Sequence, residues 1–152
     1  MPSTRYRLKL ATWIVVRDAE EPSPRKINNP EDTARLAQEL ATAADDDRER
    51  FWVVLLNTKH RYLMHTEVSV GTVSASLVHQ REVFGPAVRE GASSVLLCHN
   101  HPSGEPDPSA EDRELTRRLV ECGKLLGIEV LDHVIVGNGT ARWISFRDRG
   151  EL

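Results

Sequence analysis

This chain has little of what would brace a small fold covalently or carry it across a membrane. Its 152 residues include two cysteines, Cys98 and Cys122. That is too few for a disulfide framework and suits a reducing cytosol, so a cytoplasmic location is the expectation. No apolar run approaches the ~18 residues of a membrane span. The segment MPSTRYRLKLATWIVV lacks an uninterrupted apolar core ahead of a small-residue cleavage site, so export by signal peptide is not expected. An excess of one charge is also missing, because 20 Lys+Arg stand against 23 Asp+Glu for a net charge of −3. That balance does not support a nucleic-acid partner or attraction to an anionic membrane. What is present, 39% hydrophobic and 28% charged residues, is ordinary for a soluble domain long enough to bury its own core.

The apolar pattern alternates between strand and helix. Residues 6–17 (YRLKLATWIVVR) read as a strand, and the three prolines of DAEEPSPRKINNP mark a loop. That loop delivers Asn29 as an N-cap and Pro30 as the first residue of a helix over 30–44, closed by Asp45-Asp46-Asp47. FWVVLL (51–56) is a continuous apolar run, the mark of a buried central strand, and RYLMHTEVSV (61–70) follows it as another. Leu77, Arg81, Phe84 and Val88 space a helix over 76–90, which Pro86 should kink or divide. SVLLC (94–98) is a short strand running into a His-containing loop. A helix follows from Ser109 to Leu126, with Gly127 as its stop. Residues 128–136 and 142–146 are the last strands. The expected fold is therefore α/β, a mixed sheet flanked by about three helices in one layered domain. Residues 1–28 form an N-terminal strand and loop of the same unit, and the domain proper spans 29–149.

The chemistry is concentrated in fourteen residues, from His99 to Asp112. His99 and His101 flank one residue at the end of a strand, so in extended backbone both side chains leave on the same side. Asp112 lies three positions before Leu115 and so projects from the inward face of the following helix. Two imidazoles and a carboxylate are donors that zinc accepts, and three protein ligands leave a fourth tetrahedral position for water. The plainer reading makes Ser109 and Asp112 a helix cap and the histidines polar loop residues; the capping and metal roles are compatible. Cys98 and Cys122 read as small buried hydrophobes rather than reactive thiols. His133, beside Asp132 in an apolar strand, could orient a metal ligand from behind. His60, His65 and His79 have no evident partners.

His99-x-His101-Pro102, with seven residues between His101 and Ser109, and then Asp112 resemble the JAMM signature of the MPN+ metalloproteases. More narrowly, HNHPSGEPDPSAEDRELTRRL, with GTVSASLVHQREVF upstream and LDHVIVG downstream, resembles the RadC-like branch over about Asn29 to Phe146. The resemblance implies an MPN-type (cytidine-deaminase-like) α+β fold and a RadC-like JAB domain over 29–149. It implies His99, His101 and Asp112 as ligands of one Zn2+ per chain, and Ser109 as a hydrogen-bond donor to a developing oxyanion. It also implies a glutamate general base at the edge of an earlier strand. Glu49, just before FWVVLL, matches that place; Glu82 is the alternative. Two departures stand out. The residues ahead of FWVVLL offer only a strand and a helix, where longer RadC-like proteins carry a helix-hairpin-helix. Gln80 stands where the family has proline, and Pro86 is unexpected within its helix.

Three functions compete. A zinc-dependent hydrolase of peptide or isopeptide bonds uses every residue of the motif. A DNA-repair role or a metal-dependent nuclease follows the family's traditional name, but the one compact donor set does not suggest a two-metal phosphodiester site. A non-catalytic binding module on the same scaffold would need neither the donors nor Ser109.

Overall fold

The computed structural model describes residues 25–74 and 77–152. The strand expected over 6–17 lies outside the described residues. Helix α1 spans Pro30–Ala44 and follows an extended Asn29, whose side chain accepts a hydrogen bond from the Asp32 amide. It stops where Asp45 takes the left-handed conformation at φ 48°, as the acidic run suggests. Strands β1 (Arg50–Leu56) and β2 (Tyr62–Val70) form an antiparallel pair. Next come α2 (Gln80–Arg89), β3 (Ser94–His101), α3 (Ala110–Leu126), β4 (Glu129–Gly137) and the short β5 (Trp143–Ser145).

The five strands are ordered β2-β1-β3-β4-β5. Only β3 and β4 run parallel, and α3 is the crossover between them. β1 carries no polar residue after Arg50 because both of its faces are covered. Phe51, Val53 and Leu55 pack with α2 and α3 around Phe84, Leu115 and Leu119. Trp52, Val54 and Leu56 pack on the other face with Ala34, Leu36 and Ala37 of α1. Each fully buried Val, Leu or Phe among these stabilises the fold by about 1.5–3 kcal/mol relative to exposure.

Three features differ from expectation. α2 begins at Gln80 rather than 76, after an extended His79, because Leu77 and Val78 instead donate backbone hydrogen bonds to the Ser74 carbonyl. Pro86 lies within α2 without dividing it. β3 continues through His101 rather than ending at Cys98, because β4 pairs with it as far as His101↔Gly137. Among the described residues no helix is long and apolar enough to cross a membrane.

Candidate metal centre

The three-residue extension of β3 places the motif's histidines on a rigid strand. His99 pairs with Phe51 of β1 on one side and Ile135 of β4 on the other, and is wholly buried. Period-2 alternation sends the Cys98 side chain to the α1 face, where burial, aided by the charge of Asp132, pushes its thiol up to about 12. Cys122 is half-buried, and burial raises its thiol as well. Neither thiol is poised for reaction.

Four side chains converge: Glu49, His99, His101 and Asp112, with one donor atom of each within 4.8 Å of all the others. Glu49 Oε1 stands 2.6 Å from His99 Nε2 and 4.0 Å from His101 Nε2. Asp112 Oδ2 stands 3.2 Å from His101 Nε2, and its Oδ1 lies 3.4 Å from His99 Nδ1. Asp112 is held at the N-terminus of α3 by a reciprocal cap. Ser109 N–H donates to Asp112 Oδ2 at 2.8 Å, and Asp112 N–H donates to Ser109 Oγ at 3.0 Å. The plain capping role of Ser109 is therefore real, and it leaves the hydroxyl proton free to serve another acceptor.

The donor set fits a cation. His101 Nδ1 lies 2.7 Å from the Glu105 carbonyl, which can only accept, so Nδ1 carries a proton. In a neutral ring Nε2 is then a bare lone pair facing a carboxylate oxygen. Only a proton or a metal ion reconciles two acceptors at that distance. Burial would lower the His101 pKa, but the Asp112 hydrogen bond, the Glu105 carbonyl and the nearby carboxylate charges raise it. Burial would likewise raise Asp112. The hydrogen bond from His101, the charge of His99 and the Ser109 amide instead hold it well below the usual carboxylate range. A carbonyl partner on the outer nitrogen of a histidine is also the ordinary way a metal-binding ring is oriented.

His133 is wholly buried behind the cluster, stacked between Phe146 (ring centroids 4.6 Å apart) and His99 (5.8 Å). Thr116 Oγ1 lies 2.6 Å from both the Asp112 carbonyl and His133 Nδ1. One hydroxyl proton must go to the carbonyl, so His133 Nδ1–H is the donor to Oγ1. Burial, with the like charge of His99, lowers the His133 pKa to about 3 and keeps the ring neutral. His133 thus touches the backbone of Asp112 through Thr116.

Glu82 is not brought to the cluster. It is exposed in the first turn of α2 with its carboxylate 3.6 Å from Arg81. His65, for which the sequence offered no partner, faces the Tyr62 hydroxyl at 2.6 Å. His60 adopts a positive φ in the turn before β2, and His79 caps α2 without a side-chain hydrogen bond.

The loop from Pro102 to Pro108 is tied down from two sides. Gly137 approaches Gly104 so closely that a Cβ on Gly137 would meet the Gly104 carbonyl oxygen at 2.0 Å. Around the rim, Glu105 pairs with Arg142 and Asp107 with Arg149, while Arg113 binds both Glu151 and the Pro108 carbonyl. Sequence reading missed Asn100, the residue between the histidines. Its buried carboxamide accepts from Arg50 N–H (2.7 Å) and lies 3.0 Å from the Arg48 carbonyl and 3.1 Å from Asn138 Oδ1. Only the pairing of β3 with β4 shows that this polar residue lies inside a strand.

Comparison with known proteins identifies a family. Residues 27–151 match the RadC-like JAB domain. A UPF0758 protein of Rubrobacter xylanophilus is 52% identical over 95% of this chain and 61% of its own length. A UPF0758 protein of Symbiobacterium thermophilum is 58% identical over 68% of this chain and 44% of its own. One from Methanosarcina mazei is 47% identical over 86% of this chain and 55% of its own. The chain therefore spans roughly half of the curated relatives it matches, and it belongs to the RadC-like JAB domain family.

Proposed function

We propose that this chain is a zinc-dependent hydrolase of peptide or isopeptide bonds. The observation that carries the reading is the His101 ring, whose Nδ1–H is committed to the Glu105 carbonyl while Nε2 faces Asp112. With His99, this supplies two imidazoles and a carboxylate, a nitrogen–oxygen set that zinc accepts at a catalytic site. Zinc held there would lower the pKa of a water and polarise the scissile carbonyl.

The chain's own residues supply the rest. Glu49, standing between the two histidines, accepts a proton at its carboxylate and returns it to the leaving nitrogen. Ser109 keeps its backbone role towards Asp112 and points its hydroxyl proton at the oxygen where charge develops. Phe51, fully buried in β1 with its ring 5.9 Å from that of His99, keeps water from one side of the cluster. Nuclease chemistry finds less support. Among the described residues this is the single grouped donor set, and phosphodiester cleavage commonly uses two ions bridged by several carboxylates.

Hydrolysis of fluorogenic peptide and isopeptide substrates by zinc-loaded protein tests the reading. Turnover that disappears in Glu49→Gln at undiminished zinc content supports it. Equal turnover by unaltered protein, Glu49→Gln and His99→Ala rejects it.

A further inference from the structure

Glu49 belongs to the cluster, yet it lies one residue before β1 begins and outside the regular ladder. Its own carbonyl is held by Gly71 N–H at 2.7 Å, and no cap or helix fixes its side chain. Asp46 accepts from the Arg48 amide and from the Arg50 guanidinium, and one side chain from the neighbouring strand bonds the backbone on both sides of Glu49. Asn100 Oδ1 accepts from Arg50 N–H, immediately after Glu49, at 2.7 Å. Asn100 Nδ2 donates to the Arg48 carbonyl, immediately before Glu49, at 3.0 Å, and to Asn138 Oδ1 at 3.1 Å. The carboxamide thus does the work of a ladder residue at the point where β1 and β3 part. It uses the acceptor and both donor hydrogens that an amide has, and its residue is 2% exposed.

We infer that Asn100 is the positioning residue for Glu49, its carboxamide clamping the backbone on both sides so that the carboxylate meets His99 and His101. The inference rests on the metal reading above and deepens it. The HxH pattern then carries two jobs on one strand: the histidines face the ion, and the residue between them sets the base. The chemistry of the clamp is specific. Aspartate keeps the acceptor for Arg50 but loses the donors to Arg48 and Asn138, whereas alanine loses all three bonds. Asn138→Ala removes only the outer anchor and leaves both bonds to the Glu49 segment.

Two measurements decide it. In metal-free protein, Asn100→Ala is expected to speed amide exchange at Arg50 about tenfold, the size of one lost hydrogen bond. Asn138→Ala should move it in the same direction by less. In the second measurement Co2+ probes the site. Asn100→Ala and Asn100→Asp should still take up one ion per chain, because His99, His101 and Asp112 are intact, and their visible spectra should shift as that of Glu49→Gln does. In a Glu49→Gln background, Asn100→Ala should add no further change. Unchanged exchange at Arg50, or a spectral change that adds to that of Glu49→Gln, would overturn the inference, since the residue would then act on the strand rather than through Glu49. If Asn100→Ala fails to fold, Asn138→Ala carries the exchange measurement and Asn100→Asp carries the spectral one. If the unaltered chain takes up no Co2+, it is the metal reading that fails, and exchange at Arg50 still decides on the clamp.

Discussion

Glu49 Oε1 lies 2.6 Å from His99 Nε2, although 50 residues separate them in the chain. The contact depends on the antiparallel pairing of Phe51 with His99, which brings the start of β1 to the end of β3. A carboxylate from another part of the chain thereby joins two histidines and Asp112.

Removal of a donor should empty the site. His99→Ala and Asp112→Ala are expected to lower zinc affinity by more than the roughly 10–100-fold typical of changes to residues behind a ligand. Glu82→Gln, on the exposed face of α2, should leave it unchanged. Competition titration with a chromogenic chelator measures all three, and a Glu82→Gln loss equal to that of His99→Ala would contradict the assignment.

Metal binding should weaken in acid. The folded pKa of His101 is raised above its ordinary value of 6.5. In the metal-free protein, protonated His101 therefore contributes stability that is fully present below about pH 6.5 and lost as pH rises through the raised value. Zinc must displace that proton, so affinity should fall about tenfold per pH unit below the raised value and level off above it. Asp112, held well below the usual carboxylate range, does not protonate in that window. Calorimetric titrations at a series of pH values check the slope, and a flat profile would count against the role of His101.

Ser109→Ala should separate the residue's two roles. Loss of the helix cap is expected to cost about 1 kcal/mol of stability. Loss of a donor to the oxyanion should lower kcat about 100-fold or more. Urea denaturation and steady-state kinetics read the two effects independently. A fall in stability with kcat intact would leave the serine a cap alone.

Gly137→Ala should disturb the loop that leaves His101. The added methyl would meet the Gly104 carbonyl oxygen at 2.0 Å, so backbone must move. Overpacking of this kind costs about 1–3 kcal/mol or more. Because the same loop supplies the Glu105 carbonyl to His101 Nδ1, zinc affinity should fall together with thermal stability. Unchanged melting and zinc affinity would show that the loop yields without consequence.

Much of this was legible in the residues. FWVVLL announces a strand covered on both faces, and Asn29-Pro30 and Gly127 mark helix ends that the structure keeps. The HxH alternation and the inward placement of Asp112 follow from local periodicity. Less legible was whatever depends on pairing between distant strands. His99, Asn100 and His101 look like loop residues until β4 pairs alongside them. The spacing could not separate Glu49 from Glu82, because only the β1–β3 register decides which one reaches the histidines. Asn100 and Thr116 gave weaker signals still, since their roles lie in hydrogen bonds to the backbone of other residues.

Metal analysis of protein purified without chelator, followed by zinc titration of the stripped form, tests most directly whether this cluster holds an ion. About one zinc per chain is expected in the unaltered protein, as the donor set of a single catalytic site implies, with loss of that zinc in His99→Ala. Protein that binds no zinc at neutral pH, or binds it equally well without His99, would contradict it.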